Sequence, residues 1–261
     1  MEILKSIIDN KRKEIELKKQ RISIKMLEKS EFFGVKMPSF YDALNQPSPS
    51  IIAEYKRKSP SKGIINLNSD VKDVAIGYEE AGVAAISILT DFIFFGGESD
   101  DLKKVAAFIN IPILRKDFIV DEYQVIESKA IGACAILLIA SVLNKNEIKN
   151  LSNLASNLGL EVLFEIHTEK DIEKLSPSIR IIGVNNRNLL TFETDIEHSA
   201  SLFSALPDNC LKVAESGIRT HTDVLKLFNS GYDAFLIGEH FMRTEDPGKA
   251  AARFIKKLES I

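Results

Sequence analysis

Short, β-rich apolar runs recur along the chain, beginning near Ile51, Ala84, Ile111, Cys134, Glu161, Arg180, Leu211 and Ala234. They read "IIAEY", "AAISIL", "IPILRK", "CAILLIA", "EVLFEI", "RIIGV", "LKVAES" and "AFLIG". Between them lie helix-like segments such as "SDVKDVAIGYEEAG", "NKNEIKNLSNLASNLG", "HTEKDIEKLS" and "DPGKAAARFIKKL". Several open on Asp, Ser, Thr or Asn and several end at Gly, as helix boundaries prefer. Strands apolar on both faces and alternating with helices imply a parallel sheet covered by helices. Eight such units in about 210 residues match a closed (β/α)₈ barrel. An open doubly wound sheet competes, but no Gly-x-Gly-x-x-Gly follows the first strand.

Upstream, residues 1–30 read as helical, with Leu4, Ile8, Ile15 and Ile22 on one stripe. The basic cluster "KRKEIELKKQR" is broken by Glu14 and Glu16, so it reads as a solvated helix face rather than a nucleic-acid patch. "MPSFYDALNQPSPS", with three prolines, reads as a connector. The expected division is therefore a helical extension over 1–50 and a barrel over 51–261.

The first strand breaks its own apolar pattern. Alternation puts Ile52, Glu54 and Lys56 on one face. Other runs also end in polar residues: the third in Lys116, the fifth in Glu165, the sixth in Asn185, Asn186 and Arg187, the seventh in Glu215 and Ser216. In a barrel these strand ends meet at one rim, where active sites are built. Each charge alone is equally well read as structural. Together they are hard to explain as stability, because pairing only recovers what burial of a charge costs. Lysines beside carboxylates suit acid–base chemistry, and proximity is expected to bring the lysine pKa values down and a carboxylate up. Gly217 and Gly238 stand in the loops after strands seven and eight, where barrels often hold phosphate, and "SPSKG" adds hydroxyls and a lysine.

Composition narrows the partners. With 34 basic and 37 acidic residues, net −3, nothing global points to nucleic acid. No apolar stretch approaches a signal peptide or a membrane span, and Cys134 and Cys210 sit in or beside apolar runs as core thiols of a reducing compartment. A cytoplasmic protein without membrane or nucleic-acid partners, monomeric or weakly dimeric, is the expectation. The histidines, at 167, 198, 221 and 240, form no metal-binding motif. Glu165 and His167 alternate onto one face, but His167 reads as the start of the next helix.

"IIAEYKRKSPSKG" closely resembles the signature of the indole-3-glycerol-phosphate synthase family, apolar-apolar-x-Glu-apolar-Lys followed by Ser-Pro-Ser. "PILRKDFIVDEYQV", "LFEIHTE", "IGVNNRNL", "VAESGI" and "FLIGEHFM" are similar to its later motifs in the same order. The resemblance implies a (β/α)₈ TIM barrel with an N-terminal helical extension over its mouth, and no metal or organic cofactor. It implies ring closure of 1-(2-carboxyphenylamino)-1-deoxyribulose 5-phosphate to indole-3-glycerol phosphate, with loss of CO₂ and water, in tryptophan biosynthesis. Lys116 is then the general acid, Glu165 its acid/base partner and Lys56 a second ammonium assisting dehydration. Glu54, Asn185, Glu215 and Ser216 orient these groups. Phe95 joins the aromatic pocket, Arg187 lies near the anthranilate portion, and Ser59 and Leu137 contact substrate. Backbone at Gly217, Gly238 and Glu239 holds phosphate. Asn186 and Asn188 take no role, and the chain leaves no room after the eighth helix for the isomerase fused in some relatives. Two other readings stay open on the same residues: an isomerase of aminated ribulose phosphates, and a non-catalytic phosphate-binding barrel.

Overall fold

Each predicted apolar run forms a strand in a computed structural model of the chain, which describes residues 2–188 and 191–260. The barrel strands are β1 (Ser50–Tyr55), β2 (Ala85–Leu89), β3 (Ile113–Lys116), β4 (Ala135–Ile139), β5 (Glu161–Ile166), β6 (Ile181–Asn185), β7 (Leu211–Glu215) and β8 (Ala234–Ile237). They pair in parallel and in sequence order, and β8 returns to β1 in the register Ser50↔Ala234 and Ile52↔Leu236. The sheet is closed, so no edge is left open to another chain.

Alternation along each strand separates two cores. Ile52, Leu114, Leu137, Leu163, Val213 and Leu236 fill the barrel interior. Ile51, Ala53, Tyr55, Ile86, Phe164 and Phe235 face the surrounding helices. Those helices are α3 (Val71–Glu80), α4 (Ser99–Ala106), α5 (Glu122–Ala130), α6 (Lys145–Asn157), α7 (Glu197–Leu202), α8 (His221–Asn229) and α9 (Pro247–Glu259). Side-chain caps start most of them: Asp70 accepts from the Lys72 and Asp73 amides, and Thr220 with Asp223 forms a capping box. After β5 the expected helix is a 3₁₀ turn, Glu169–Lys174. Asp171 tightens it, its Oδ2 accepting from the His167 and Thr168 amides and the Thr168 hydroxyl. "SPSKG" folds into a two-stranded antiparallel ribbon, Lys58–Ser59 with Gly63–Ile64.

The N-terminal segment departs from its sequence reading in two places. Helix α1 (Glu2–Arg21) buries Ile7, Lys11 and Ile15, while Leu4 and Ile8 are half-buried and Ile22 is exposed. The buried stripe is thus centred on a lysine from the cluster read as solvated. Lys11 is 1% exposed, and its ammonium meets Asp91 at 3.0 Å, Asp117 at 3.0 Å and Glu14 at 2.9 Å. Hydropathy cannot anticipate this, because two of the three partners, Asp91 and Asp117, come from the loops after β2 and β3, distant in sequence. The connector, moreover, contains helix α2 (Phe40–Leu44). Phe40 and Leu44 are fully buried in the interior core, and the Tyr41 amide donates to Glu161 at the start of β5 at 2.8 Å. The short helix therefore seals the end of the barrel opposite the charged strand ends. Among the described residues no helix is long and apolar enough to cross a membrane.

Candidate active site

At the C-terminal ends of the strands lies a cavity of about 1260 Å³. Every site residue singled out above lines it: Glu54, Lys56, Ser59, Phe95, Lys116, Leu137, Glu165, Asn185, Arg187, Glu215, Ser216, Gly217, Gly238 and Glu239. The reason is the strand period of two. The interior core residue of each strand is followed two positions later by its rim residue: Ile52 by Glu54, Leu114 by Lys116, Leu163 by Glu165, Val213 by Glu215.

The charges converge on Lys116. Its Nζ lies 3.2 Å from Glu165 Oε2 and 3.0 Å from Glu215 Oε2. Lys56 Nζ pairs with Glu54 Oε1 at 2.5 Å. Burial alone would lower the Lys116 pKa, but Glu215, Glu165 and Glu54 outweigh it and hold the ammonium above its ordinary range. This reverses the expected direction for this lysine, because three carboxylates surround one cation. Burial would likewise raise Glu165, yet Lys116, His167 and a hydrogen bond from Asn185 hold it below the usual carboxylate value. Glu215 goes the other way. Burial, with Glu165 and Glu54 facing it, pushes its carboxyl up to about 7 despite Lys116. The expected raised carboxylate is present and is Glu215, while Glu165 beside it is held ionised.

Two glycines make room for these carboxylates. A Cβ at Gly183 would stand 2.2 Å from Glu215 Oε1, and one at Gly238 would stand 2.6 Å from Glu54 Oε1. Only a residue without a side chain fits either position while the charges stay where they are. The loop after β7 carries Ser216 at φ +66° and Gly217 at φ +80°. A left-handed serine is strained, and the Asn186 amide holds it by donating to the Ser216 carbonyl at 3.2 Å. The same Asn186 accepts from the Ser199 amide at 2.9 Å and hydroxyl at 2.7 Å. Sequence reading gave Asn186 no role, and nothing in a loop motif distinguishes a buried asparagine from an exposed one.

The other loops close the walls. The Arg187 guanidinium donates to Ser61 Oγ at 3.2 Å and to the Phe192 carbonyl at 3.0 Å, tying the loop after β6 to the ribbon after β1. The Phe95 and Phe118 rings lie 6.1 Å apart, an aromatic pair on the β2–β3 side. Ile3, Leu4 and Ile7 of α1 complete the lining, as do Arg219 and Arg243. Phe118 follows "RKD" directly and was legible as part of that motif. The two arginines carry no signal beyond lying just after the strand-end motifs.

The comparisons agree with this geometry. A family model described as indole-3-glycerol phosphate synthase matches residues 4–254. The chain belongs to the indole-3-glycerol phosphate synthase family. It is 43% identical over 258 residues to the indole-3-glycerol phosphate synthase of Bacteroides thetaiotaomicron, covering 99% of both chains. It is 42% identical over 249 residues to that of Halalkalibacterium halodurans, covering 94% of this chain and 93% of the other. Among solved structures, a mutant tryptophan synthase alpha-subunit from Pyrococcus furiosus matches at TM-score 0.60 and 13% identity, covering 81% of this chain and 98% of that one. KGPDC from Streptococcus mutans matches at TM-score 0.61 and 15% identity, covering 82% and 99%. At such identities these structures speak for the barrel alone. Like its family, the protein is a decarboxylating lyase of tryptophan biosynthesis acting on a small phosphosugar substrate.

Proposed function

We propose that Lys116 is the general acid that opens the ring-closing reaction of 1-(2-carboxyphenylamino)-1-deoxyribulose 5-phosphate in this barrel. The observation that carries the reading is the Lys116 ammonium held 3.2 Å from Glu165 and 3.0 Å from Glu215 on the inner face of the strands. As the aromatic carbon attacks the substrate ketone, negative charge develops on the ketone oxygen. A lysine kept protonated by surrounding carboxylates both stabilises that charge and donates the proton. Loss of CO₂ follows. Lys56 then protonates the departing hydroxyl, and ionised Glu165 takes the proton released as the new ring becomes aromatic. Asn185 orients Glu165, Glu54 orients Lys56, and Glu215 and Ser216 hold substrate hydroxyls. The phosphate sits against the backbone at Gly217, Gly238 and Glu239 with Ser59 nearby. Phe95 and Leu137 pack on the aromatic ring, and Arg187 meets its carboxylate. Buried, free Cys134 and Cys210 suit a reducing compartment such as the cytoplasm, and we expect a monomer or weak homodimer.

Single-turnover kinetics of Lys116→Met and Lys56→Met test the assignment. Lys116→Met is expected to slow ring closure by about 10²–10⁴-fold, with Lys56→Met stalling later, at dehydration. Ring closure blocked only in Lys56→Met reverses the roles. Product fluorescence is readable directly because the chain has 0 Trp, and CO₂ release separates this reaction from an isomerisation.

A further inference from the structure

His167 stands two residues beyond Glu165, and the same alternation that turns Glu165 inward turns His167 after it. It does not begin the following helix: Thr168 caps the 3₁₀ turn, which starts at Glu169. The imidazole lies instead against the candidate base, with Nε2 3.7 Å from Glu165 Oε1. Glu165 is thereby shared between two elements, Oε2 toward Lys116 on β3 and Oε1 toward His167. Both ring nitrogens are buried, and neither has a hydrogen-bond partner among the described residues. A buried histidine serving only the core normally satisfies at least one nitrogen. This one keeps both uncommitted beside a single carboxylate.

The surrounding groups leave Glu165 as the ring's counterpart. From the 3₁₀ turn, Asp171 is occupied by the His167 and Thr168 amides and the Thr168 hydroxyl. From α7, His198 reaches the His167 carbonyl with Nε2 at 2.9 Å and not its ring. From β6, Asn185 is engaged with Glu165 and with the Arg187 amide. From β3, Lys116 lies on the other oxygen of Glu165.

We infer that His167 is a positioning residue that holds Glu165 ionised and aimed at the cavity, acting from the side of the carboxylate opposite Lys116. It touches no substrate, since it does not line the cavity. Its effect is electrostatic: the ring beside Oε1 helps hold the Glu165 carboxyl below the usual carboxylate value, and so in its base form. The inference rests on the proposed role of Glu165 as the reaction's base.

The test compares His167→Gln, His167→Asn and Glu165→Gln by the pH dependence of kcat/KM. The two amides approximate one ring nitrogen each and stay neutral throughout. Both are expected to move the acidic limb upward by half a pH unit or more, about a threefold extra loss on the acidic side of that limb, with KM at neutral pH little changed. An acidic limb that stays in place in both amide variants, while Glu165→Gln is inactive, overturns the role of His167 alone. Glu165→Gln retaining full kcat overturns the reading beneath it instead. If the substitutions disturb folding, ¹³C-carboxyl NMR of Glu165, assigned through Glu165→Gln, decides on the parent protein. A Glu165 midpoint at the ordinary glutamate value there also overturns the inference.

Discussion

Two buried charge clusters lie back to back around β3, and they differ in how their carboxylates are compensated. The outer one joins α1 to the barrel. Asp117 meets Lys11 at 3.0 Å and Arg115 at 3.1 Å, and Glu127 meets Arg115 at 2.7 Å and Lys18 at 3.0 Å. Each of these carboxylates bridges two cations. Burial would raise Asp117, but Lys11, Arg115 and the Thr90 hydroxyl hold it well below the usual carboxylate range. Inside the barrel each carboxylate has one lysine partner within ion-pair distance, Lys116 serves two of them, and Glu215 is pushed up to about 7. The outer cluster is saturated and acts as a clamp. The inner one is left short of positive charge, which is the state a site needs if it is to exchange protons with a substrate.

The contrast is sharpest in Lys11→Met. Removing one member of a buried ion network leaves the others uncompensated, so urea unfolding should show a loss of about 3–5 kcal/mol. The kcat of the molecules that remain folded should stay within about tenfold of the parent, since general-acid groups are worth more than that. A variant as stable as the parent but inactive would move Lys11 from clamp to catalysis and erase the distinction.

Glu215→Gln probes the inner cluster through its pH dependence. With its carboxyl raised from 4.5 to about 7, the folded state binds a proton that the unfolded chain has released. Stability from Glu215 is therefore present below about 4.5 and lost as pH rises toward 7, with a slope of at most about 1.4 kcal/mol per pH unit. Glu215→Gln should flatten that slope in chemical denaturation between those values. Asp117 has the opposite sign: its stabilisation is present above the ordinary carboxylate pKa and lost on acidification through its lowered folded value. A parent whose stability rises between pH 5 and 7, unchanged by Glu215→Gln, would contradict the inner assignment.

The smallest effect is expected at a solvent-facing pair. Lys226 and Glu197 are paired with about half of each side chain exposed. Lys226→Ala should change the unfolding free energy by no more than about 0.5 kcal/mol, an amount that added salt removes in the parent. A loss approaching that of Lys11→Met would mean that burial is not what separates the two regions.

Much of this was legible in advance for one reason. Strand alternation is local, so Glu54 could be placed on the face of Ile52, and Glu165 on that of Leu163, before any contact was known. Parallel strands then deliver all such ends to one rim. The direction of the Lys116 shift was not legible, because it depends on how many carboxylates surround it, and those come from β1, β5 and β7. Lys11 was misread for the same kind of reason. In the sequence it is one of several lysines on a helix, and only packing against the loops after β2 and β3 singles it out.

The chain by itself determined the eight strands, seven of the eight helices expected between them, the inward face of each strand and the residues that stand at its end, since these follow from periods of two and 3.6 along neighbouring residues. Only the tertiary structure decided which charges meet, which are shared and which are left with a single partner. It also decided that α2 closes one end of the barrel while Lys11 locks α1 against the other. Those outcomes depend on distances between residues far apart in sequence, and electrostatic free energy in a buried site is set by distance and solvent access rather than by order along the chain.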